Sequence, residues 1–138
     1  YTTEDRSDEA FKELVGKAER LVQELGLHYR LSRLAAGDCS FSMARTYDIE
    51  VWIPSMGIYK EVSSASNART YQARRGNIKY RGKDKKLHFV HTLNASGLAT
   101  SRLLPAIVEQ NQQADGSVIV PEVLRPYMGG IEVLKPIK

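Results

Sequence analysis

Residues 46–54 show the clearest pattern in the chain, a strict alternation of apolar and polar side chains. Because successive side chains of a β-strand point to opposite faces, this alternation predicts a half-buried antiparallel strand. Its apolar positions are Tyr47, Ile49, Val51 and Ile53. Residues 54–57 predict a turn, and residues 58–64 predict the returning strand of a hairpin.

Apolar residues three and four positions apart predict an amphipathic helix over residues 6–25. They are Phe11, Leu14, Val15, Ala18, Leu21, Val22 and Leu25. Gly26 is predicted to end this helix. A short helix is predicted at residues 71–80, and a third helix follows the small residues 95–97, with Pro105 near its start.

Three further segments, residues 28–35, 87–94 and 117–120, are predicted to be strands. The polar stretch 63–70 is predicted to be a connection into the short helix. Strands joined by hairpins, with helices set apart, indicate an α+β fold with an antiparallel sheet flanked by helices.

Composition narrows the class of protein. The chain has 138 residues, 42% hydrophobic and 26% charged, which predicts one compact soluble domain or part of one. The absence of an apolar run of about 18 residues and of an apolar leader argues against a membrane protein or a secreted precursor. The single cysteine, Cys39, favours a reducing, cytoplasmic compartment. Because the chain begins at Tyr1 within a polar phrase, we expect a piece of a larger protein.

Positive charge is concentrated in one stretch. The net charge is +4, and residues 69–86 carry eight basic residues against one acidic residue, Asp84. Such a stretch contacts phosphate groups in some proteins and is simply a solvated surface in others. Charge alone leaves both interpretations open.

Two carboxylates are candidates for a metal site. Glu50 and Glu61 lie on the two strands of the predicted hairpin, so they are expected near one face of the sheet. A carboxylate pair suits Mg²⁺ held together with nucleotide phosphates, although two unrelated exposed carboxylates fit the spacing equally well. The polar residues that follow are expected either to add oxygen ligands or to cap the next helix. They are Ser63, Ser64, Ser66 and Asn67.

Arg102 is the strongest candidate for binding an anion. It is expected in the first turn of the third helix, where backbone N–H groups and the helix dipole favour negative charge. The alternative is an ordinary surface arginine. The three histidines and Cys39 do not have the spacing of a zinc site, and we expect no zinc.

Five phrases, in order, resemble the seryl-tRNA synthetases of bacteria, which are class II aminoacyl-tRNA synthetases. They are TYDIEVWIPS at 46–55, YKEVSSASN at 59–67, YQARR at 71–75, HTLNASGLATSR at 91–102 and VPEVLRPYMG at 120–129. The resemblance implies that residues 1–138 are the C-terminal part of the catalytic domain and contain motif 3. It also implies an antiparallel sheet flanked by helices, in agreement with the pattern.

The resemblance implies a role for individual residues. Glu61 and Ser64 would hold the Mg²⁺ that accompanies ATP, and Arg102 would grip the γ-phosphate, so that Glu61 and Arg102 carry catalysis. Asn94 and Ser96, with Ser64, would contact the bound serine. The activity implied is activation of serine with ATP to seryl-adenylate, followed by transfer to the serine tRNA.

The resemblance also implies what lies outside this chain: motif 1, most of motif 2 and the N-terminal arm that binds tRNA. The isolated fragment is therefore expected to be inactive or weakly active, and the parent enzyme to be a cytoplasmic homodimer with no membrane contact. Two alternatives stay open. One is a synthetase-like paralogue that charges a carrier protein, and the other is a non-catalytic domain for binding or assembly.

Overall fold

A computed structural model describes residues 1–137. Its α-helices are α1 (Ser7–Glu24), α2 (Tyr71–Gly76) and α3 (Thr100–Asn111). Its strands are β1 (Tyr29–Arg33), β2 (Arg45–Ile53), β3 (Ile58–Arg69), β4 (Lys79–Arg81), β5 (Leu87–Phe89), β6 (Thr92–Asn94), β7 (Val118–Ile119) and β8 (Val133–Leu134). Short 3₁₀ helices span Pro54–Met56 and Glu122–Met128.

The central sheet is antiparallel, with the strand order β1-β2-β3-β6. The predicted hairpin is its middle, since β2 and β3 pair along nearly their full length. The turn between them closes at Gly57, whose φ of 64° is a left-handed conformation that glycine adopts without a steric penalty. Pairs β4–β5 and β7–β8 form two small ribbons. The α+β prediction is confirmed.

Helices α1 and α3 cover one face of the central sheet. Alternate β2 residues Ile49, Val51 and Ile53 are buried against Val22 of α1 and Ala106 of α3. Burial of these aliphatic groups removes apolar surface from water, which stabilises the layer of helices on the sheet. The opposite face of the sheet carries mostly polar side chains, among them the candidate residues Glu50, Glu61 and Ser64.

A β-bulge interrupts the hairpin close to those residues. Ile49 pairs with Ser63 and Glu50 pairs with Glu61, so Val62 has no partner across the strand. Its carbonyl oxygen accepts a hydrogen bond of 2.7 Å from the backbone N–H of Ala99, the residue before α3. The bulge therefore attaches the start of α3 to the middle of β3.

Strand β3 is longer than predicted, because residues 63–69 continue it instead of forming a connection. Small polar side chains are buried there with hydrogen-bond partners that the sequence does not reveal. Ser66 shares a bond of 2.8 Å with Thr46, and Asn67 donates one of 2.9 Å to Ser7. The suggestion that these residues cap the next helix is wrong, since they lie inside a strand.

Two other boundaries differ from the prediction. Helix α2 ends at Gly76, not near residue 80, because Asn77 adopts a left-handed φ of 51° and the chain then forms β4. The predicted strand 87–94 is two strands, with β5 in the small ribbon and β6 in the central sheet. The C-terminal region also contains the 3₁₀ helix and β8, where the sequence indicated an irregular tail.

Candidate active site

Two carboxylates face each other across the polar side of the hairpin. Glu50 and Glu61 are directly opposite in the register, which agrees with the expectation that they lie near one face of the sheet. Like charges at such positions repel, and each is offset by an arginine. Arg30 Nε donates a hydrogen bond to Glu50, while Arg102 Nη2 lies 3.7 Å from Glu61 Oε1. The second distance is too long for a hydrogen bond, so Glu61 is the carboxylate more available to a ligand.

Arg102 reaches Glu61 because α3 is fixed at both ends. At the start of the helix, the Ala99 N–H is bonded to Val62. Near its end, Glu109 accepts hydrogen bonds of 2.8 Å from both the backbone N–H and the hydroxyl of Ser55. These contacts hold the helix against β2 and β3, and the Arg102 side chain is about half exposed beside Glu61.

Gln110 adds a second anchor for α3. Its Nε2 donates 2.7 Å to the carbonyl of Trp52, and its Oε1 accepts 2.7 Å from the backbone N–H of His28. Neither Glu109 nor Gln110 was singled out from the sequence. Their partners are more than 50 positions away along the chain, so no local pattern marks them.

The two residues expected to contact serine lie just before α3. Asn94 ends β6 opposite Ser66 and is exposed, and Ser96 follows in the connection to α3, also exposed. The Ser96 carbonyl accepts a 2.7 Å hydrogen bond from the hydroxyl of Ser63, which is completely buried. Ser63 therefore fixes the backbone segment that carries the Asn94 and Ser96 side chains. This positioning role was not predicted.

Ser64 lies on the same polar face, opposite Asp48 in β2. Asp48 is 7% exposed, and its Oδ1 has no hydrogen-bond partner among residues 1–137. A buried carboxylate oxygen without a partner is costly, so this position departs from ordinary strand packing. The sequence analysis used Asp48 only as a polar position in the alternation.

An aromatic group closes one end of the polar face. Trp52 and Tyr59 are paired across the hairpin with ring centroids 5.1 Å apart, and the Tyr59 hydroxyl lies 2.8 Å from His28 Nε2. The Arg30 guanidinium stacks 4.4 Å from the Tyr59 ring centroid. These contacts keep Arg30 beside Glu50 and leave Glu61 to Arg102.

The tRNA synthetase class II core domain family (G, H, P, S and T) matches residues 1–111. The chain belongs to this family. Serine–tRNA ligase 2 of Clostridium acetobutylicum is 70% identical to this class II core over 130 residues, which is 94% of the chain and 31% of the relative. The serine–tRNA ligase of Fervidobacterium nodosum is 56% identical over 138 residues, covering all of the chain and 32% of the relative.

Among solved structures, the crystal structure of seryl-tRNA synthetase from Pyrococcus horikoshii complexed with ATP is similar to this class II core. The two are 42% identical with a TM-score of 0.94, over 100% of the chain and 31% of the synthetase. The resemblance to seryl-tRNA synthetases is confirmed. The chain spans about a third of the length of the curated relatives it matches.

The candidate oxygen ligands of this class II core suit a metal ion only when a bound nucleotide supplies further ligands. Among residues 1–137, no three His, Cys, Asp or Glu side chains come together as a metal-binding group. Glu61 and Ser64 offer one carboxylate and one hydroxyl. Mg²⁺ is commonly bound by one or two carboxylates together with substrate phosphates, so these oxygens fit an ion that arrives with a nucleotide.

None of the helices within residues 1–137 combines the length and the apolar character needed to cross a bilayer.

Proposed function

We propose that the protein containing this chain is a serine–tRNA ligase. It activates serine with ATP to give seryl-adenylate and pyrophosphate, and then transfers the seryl group to the 3′ end of the serine tRNA. The observation that carries the proposal is the pairing of Glu61 with Arg102 at the start of α3, in a chain 42% identical to a seryl-tRNA synthetase that was crystallised with ATP.

In the activation step, a serine carboxylate oxygen attacks the α-phosphorus of ATP, and the bond from that phosphorus to the bridging oxygen of the leaving group breaks. Pyrophosphate leaves with the electron pair of that bond. Arg102 would bind the γ-phosphate and stabilise this negative charge, since a guanidinium presents several N–H donors to phosphate oxygens. The contribution of the chain is positioning and charge stabilisation.

Glu61 and Ser64 would hold the Mg²⁺ that accompanies ATP, and the ion would supply charge neutralisation at the phosphates. In the structure, Glu61 lies beside Arg102. The Glu61 carboxylate would bind the cation, and the Arg102 guanidinium would bind the phosphate. The loose 3.7 Å contact makes this exchange of partners inexpensive.

Asn94 and Ser96, with Ser64, would contact serine. An amide and two hydroxyls match the small polar substrate, and a site that hydrogen-bonds a hydroxyl discriminates strongly against analogues that lack it. Ser63 would act indirectly, because it fixes the Ser96 carbonyl and therefore the backbone of this segment.

We further propose that this chain is the C-terminal part of the catalytic domain and contains motif 3. Motif 1, most of motif 2 and the tRNA-binding arm would belong to the remainder of a cytoplasmic, homodimeric enzyme. The chain spans about a third of its relatives, which supports this division.

A chimaeric enzyme tests the proposal. Residues of this chain replace the matching segment of the Clostridium acetobutylicum relative, to which they are 70% identical. Serine-dependent ATP–pyrophosphate exchange and charging of serine tRNA are then measured, with threonine in place of serine as the control. We expect both activities with serine only. Exchange without tRNA charging would favour a carrier-charging paralogue, and no exchange by a folded dimer would favour a non-catalytic domain.

A further inference from the structure

Eight cations without carboxylate partners lie at the end of β3, on α2 and on the β4–β5 ribbon with its turn. Among residues 1–137, the side chains in this set have no carboxylate within 4.0 Å, whereas six basic residues elsewhere do. The set is Arg69, Arg74, Arg75, Lys79, Arg81, Lys83, Lys85 and Lys86. We call it the basic hairpin surface. The carboxylate of the nearby Asp84 pairs with His88 instead, whose Nε2 lies 3.0 Å from Asp84 Oδ1.

The tip of the ribbon is well defined despite its exposure. The Gly82 N–H donates to the Lys86 carbonyl at 2.9 Å, and Asp84 Oδ1 accepts from the Lys86 N–H at 3.0 Å. Hydrogen bonds from His88 and from that N–H hold the pKa of Asp84 below its ordinary value, so the carboxylate stays charged and keeps the turn closed. Lys83 and Lys86 therefore project from an ordered turn.

Aromatic rings, not acids, support three of the cations. Arg75 Cζ lies 3.6 Å from the centroid of the Tyr71 ring. Lys79 Nζ lies 4.8 Å and Arg74 Cζ 5.7 Å from the centroid of the Phe89 ring. Cation–π contacts of this kind position the charges but do not neutralise them. Cations gathered in this way repel each other, and a polyanion would relieve that repulsion.

One end of the surface borders a polar cavity of about 440 Å³. Arg69, Arg74 and His91 line it, and His91 is 6% exposed with an Nδ1 atom that has no hydrogen-bond partner among residues 1–137. Glu4 and Asp8 line the cavity as well, and Asp8 is directed to Arg45 at 3.5 Å. Arg74 Nε donates a hydrogen bond of 3.2 Å to the Thr70 hydroxyl, but neither cavity arginine pairs with a carboxylate among residues 1–137. The cavity thus combines two guanidinium groups with a buried imidazole, which suits a phosphate oxygen.

We propose that the basic hairpin surface contacts the sugar–phosphate backbone of the RNA on which the proposed activity acts. The inference rests on the proposed function, which supplies an RNA partner, and it assigns that partner a contact area outside the serine and ATP site. Lysine and arginine contacts to phosphates provide affinity that falls as salt rises. Lys83 and Lys86 in the turn, and the cavity arginines Arg69 and Arg74, would contact phosphates along that backbone.

The experiment compares two double variants of the full-length enzyme. Lys83→Gln/Lys86→Gln removes two charges from the surface, and Lys12→Gln/Lys135→Gln removes two exposed charges elsewhere. Binding of fluorescently labelled serine tRNA is titrated at several salt concentrations. We expect the hairpin variant to bind about tenfold more weakly near physiological salt, with a slope of log Kd against log salt smaller by about 1.5. The control is expected to match the unsubstituted enzyme.

Serine-dependent pyrophosphate exchange needs no tRNA and is measured in parallel. Unchanged exchange in the hairpin variant would show that its fold and its serine and ATP sites are intact. Absence of exchange in the unsubstituted enzyme would count against the proposed function, while the RNA titration would still test the surface. Equal RNA affinity and equal salt slope in the two double variants would overturn the inference. So would undiminished RNA binding accompanied by charge-dependent binding to phosphatidylserine vesicles, which would assign the surface to a membrane.

Discussion

The backbone N–H of Ala99 donates a 2.7 Å hydrogen bond to the carbonyl oxygen of Val62, the one residue that the bulge leaves unpaired on β3. A regular strand would carry Val62 opposite a residue of β2, and the alignment of Glu61 with the start of α3 would change. The bulge and the start of α3 together therefore place Arg102 beside Glu61. Bulges re-aim side chains next to functional sites in many sheets, and this one acts in that way.

Arg102→Ala is expected to reduce serine-dependent pyrophosphate exchange at least about 100-fold in the full-length enzyme. The loss corresponds to about 3 kcal/mol of transition-state stabilisation, the order expected when a charged donor to a developing anion is removed. Arg20→Ala, at an exposed position of α1, is the matched control and should leave exchange unchanged. Near-normal exchange in the Arg102 variant would make this residue an ordinary surface arginine.

The two paired carboxylates are expected to respond differently to loss of charge. Glu61→Gln should raise the Mg²⁺ concentration needed for half-maximal exchange, because a neutral amide is a poorer ligand for a hard cation. Glu50→Gln should leave that concentration nearly unchanged, since Glu50 is held by Arg30. A Mg²⁺ titration of both variants decides the matter, and identical titrations would remove Glu61 from the metal site.

The hairpin and its register were predictable because alternation along β2 is strict and the turn residues 54–57 are characteristic. Once the register is known, the approach of Glu50 to Glu61 follows from geometry. Helix α1 was equally clear, since its apolar residues recur with helical spacing over five turns. These features depend on patterns within a single element.

The remaining features depend on contacts between distant segments. Nothing in the residues around Val62 marks a bulge, and the burial of Ser63 is explained only by the Ser96 carbonyl, 33 positions later. The length of β3 was underestimated for the same reason, because small polar residues usually indicate exposed loops. The pairing of Arg102 with Glu61 required both the bulge and the anchors at Glu109 and Gln110.

Ser63→Ala tests whether Ser63 positions the backbone that carries Asn94 and Ser96, the residues proposed to contact serine. Removing the hydroxyl leaves the Ser96 carbonyl without its donor, and we expect the KM for serine to rise about three- to tenfold while the KM for ATP changes little. Ser117→Ala removes another buried hydroxyl, far from this segment, and serves as the control. Equal changes in both KM values would indicate a general loss of structure and not a positioning role.

Asp115 offers a test of local electrostatics at the start of β7. Its Oδ1 accepts hydrogen bonds from the Ser117 hydroxyl at 2.6 Å and from the Ser117 N–H at 3.0 Å, and these bonds lower the pKa of Asp115 below its ordinary value of 3.8. A lowered pKa in the folded state means that the unfolded turn binds more protons, so the stabilisation is present above about pH 4 and disappears as the pH falls through the folded-state pKa.

Asp115→Asn keeps the acceptor oxygen but removes the charge, and therefore resembles the protonated acid. We expect hydrogen exchange at the Ser117 amide to be faster in this variant than in the unsubstituted protein at pH 7, and the difference in protection to vanish below the Asp115 pKa, when both side chains are neutral. Asp38→Asn, in an exposed turn, is the control and should not alter protection of the Ser117 amide at either pH. A difference that persists unchanged at low pH would show that the carboxylate charge does not stabilise this turn.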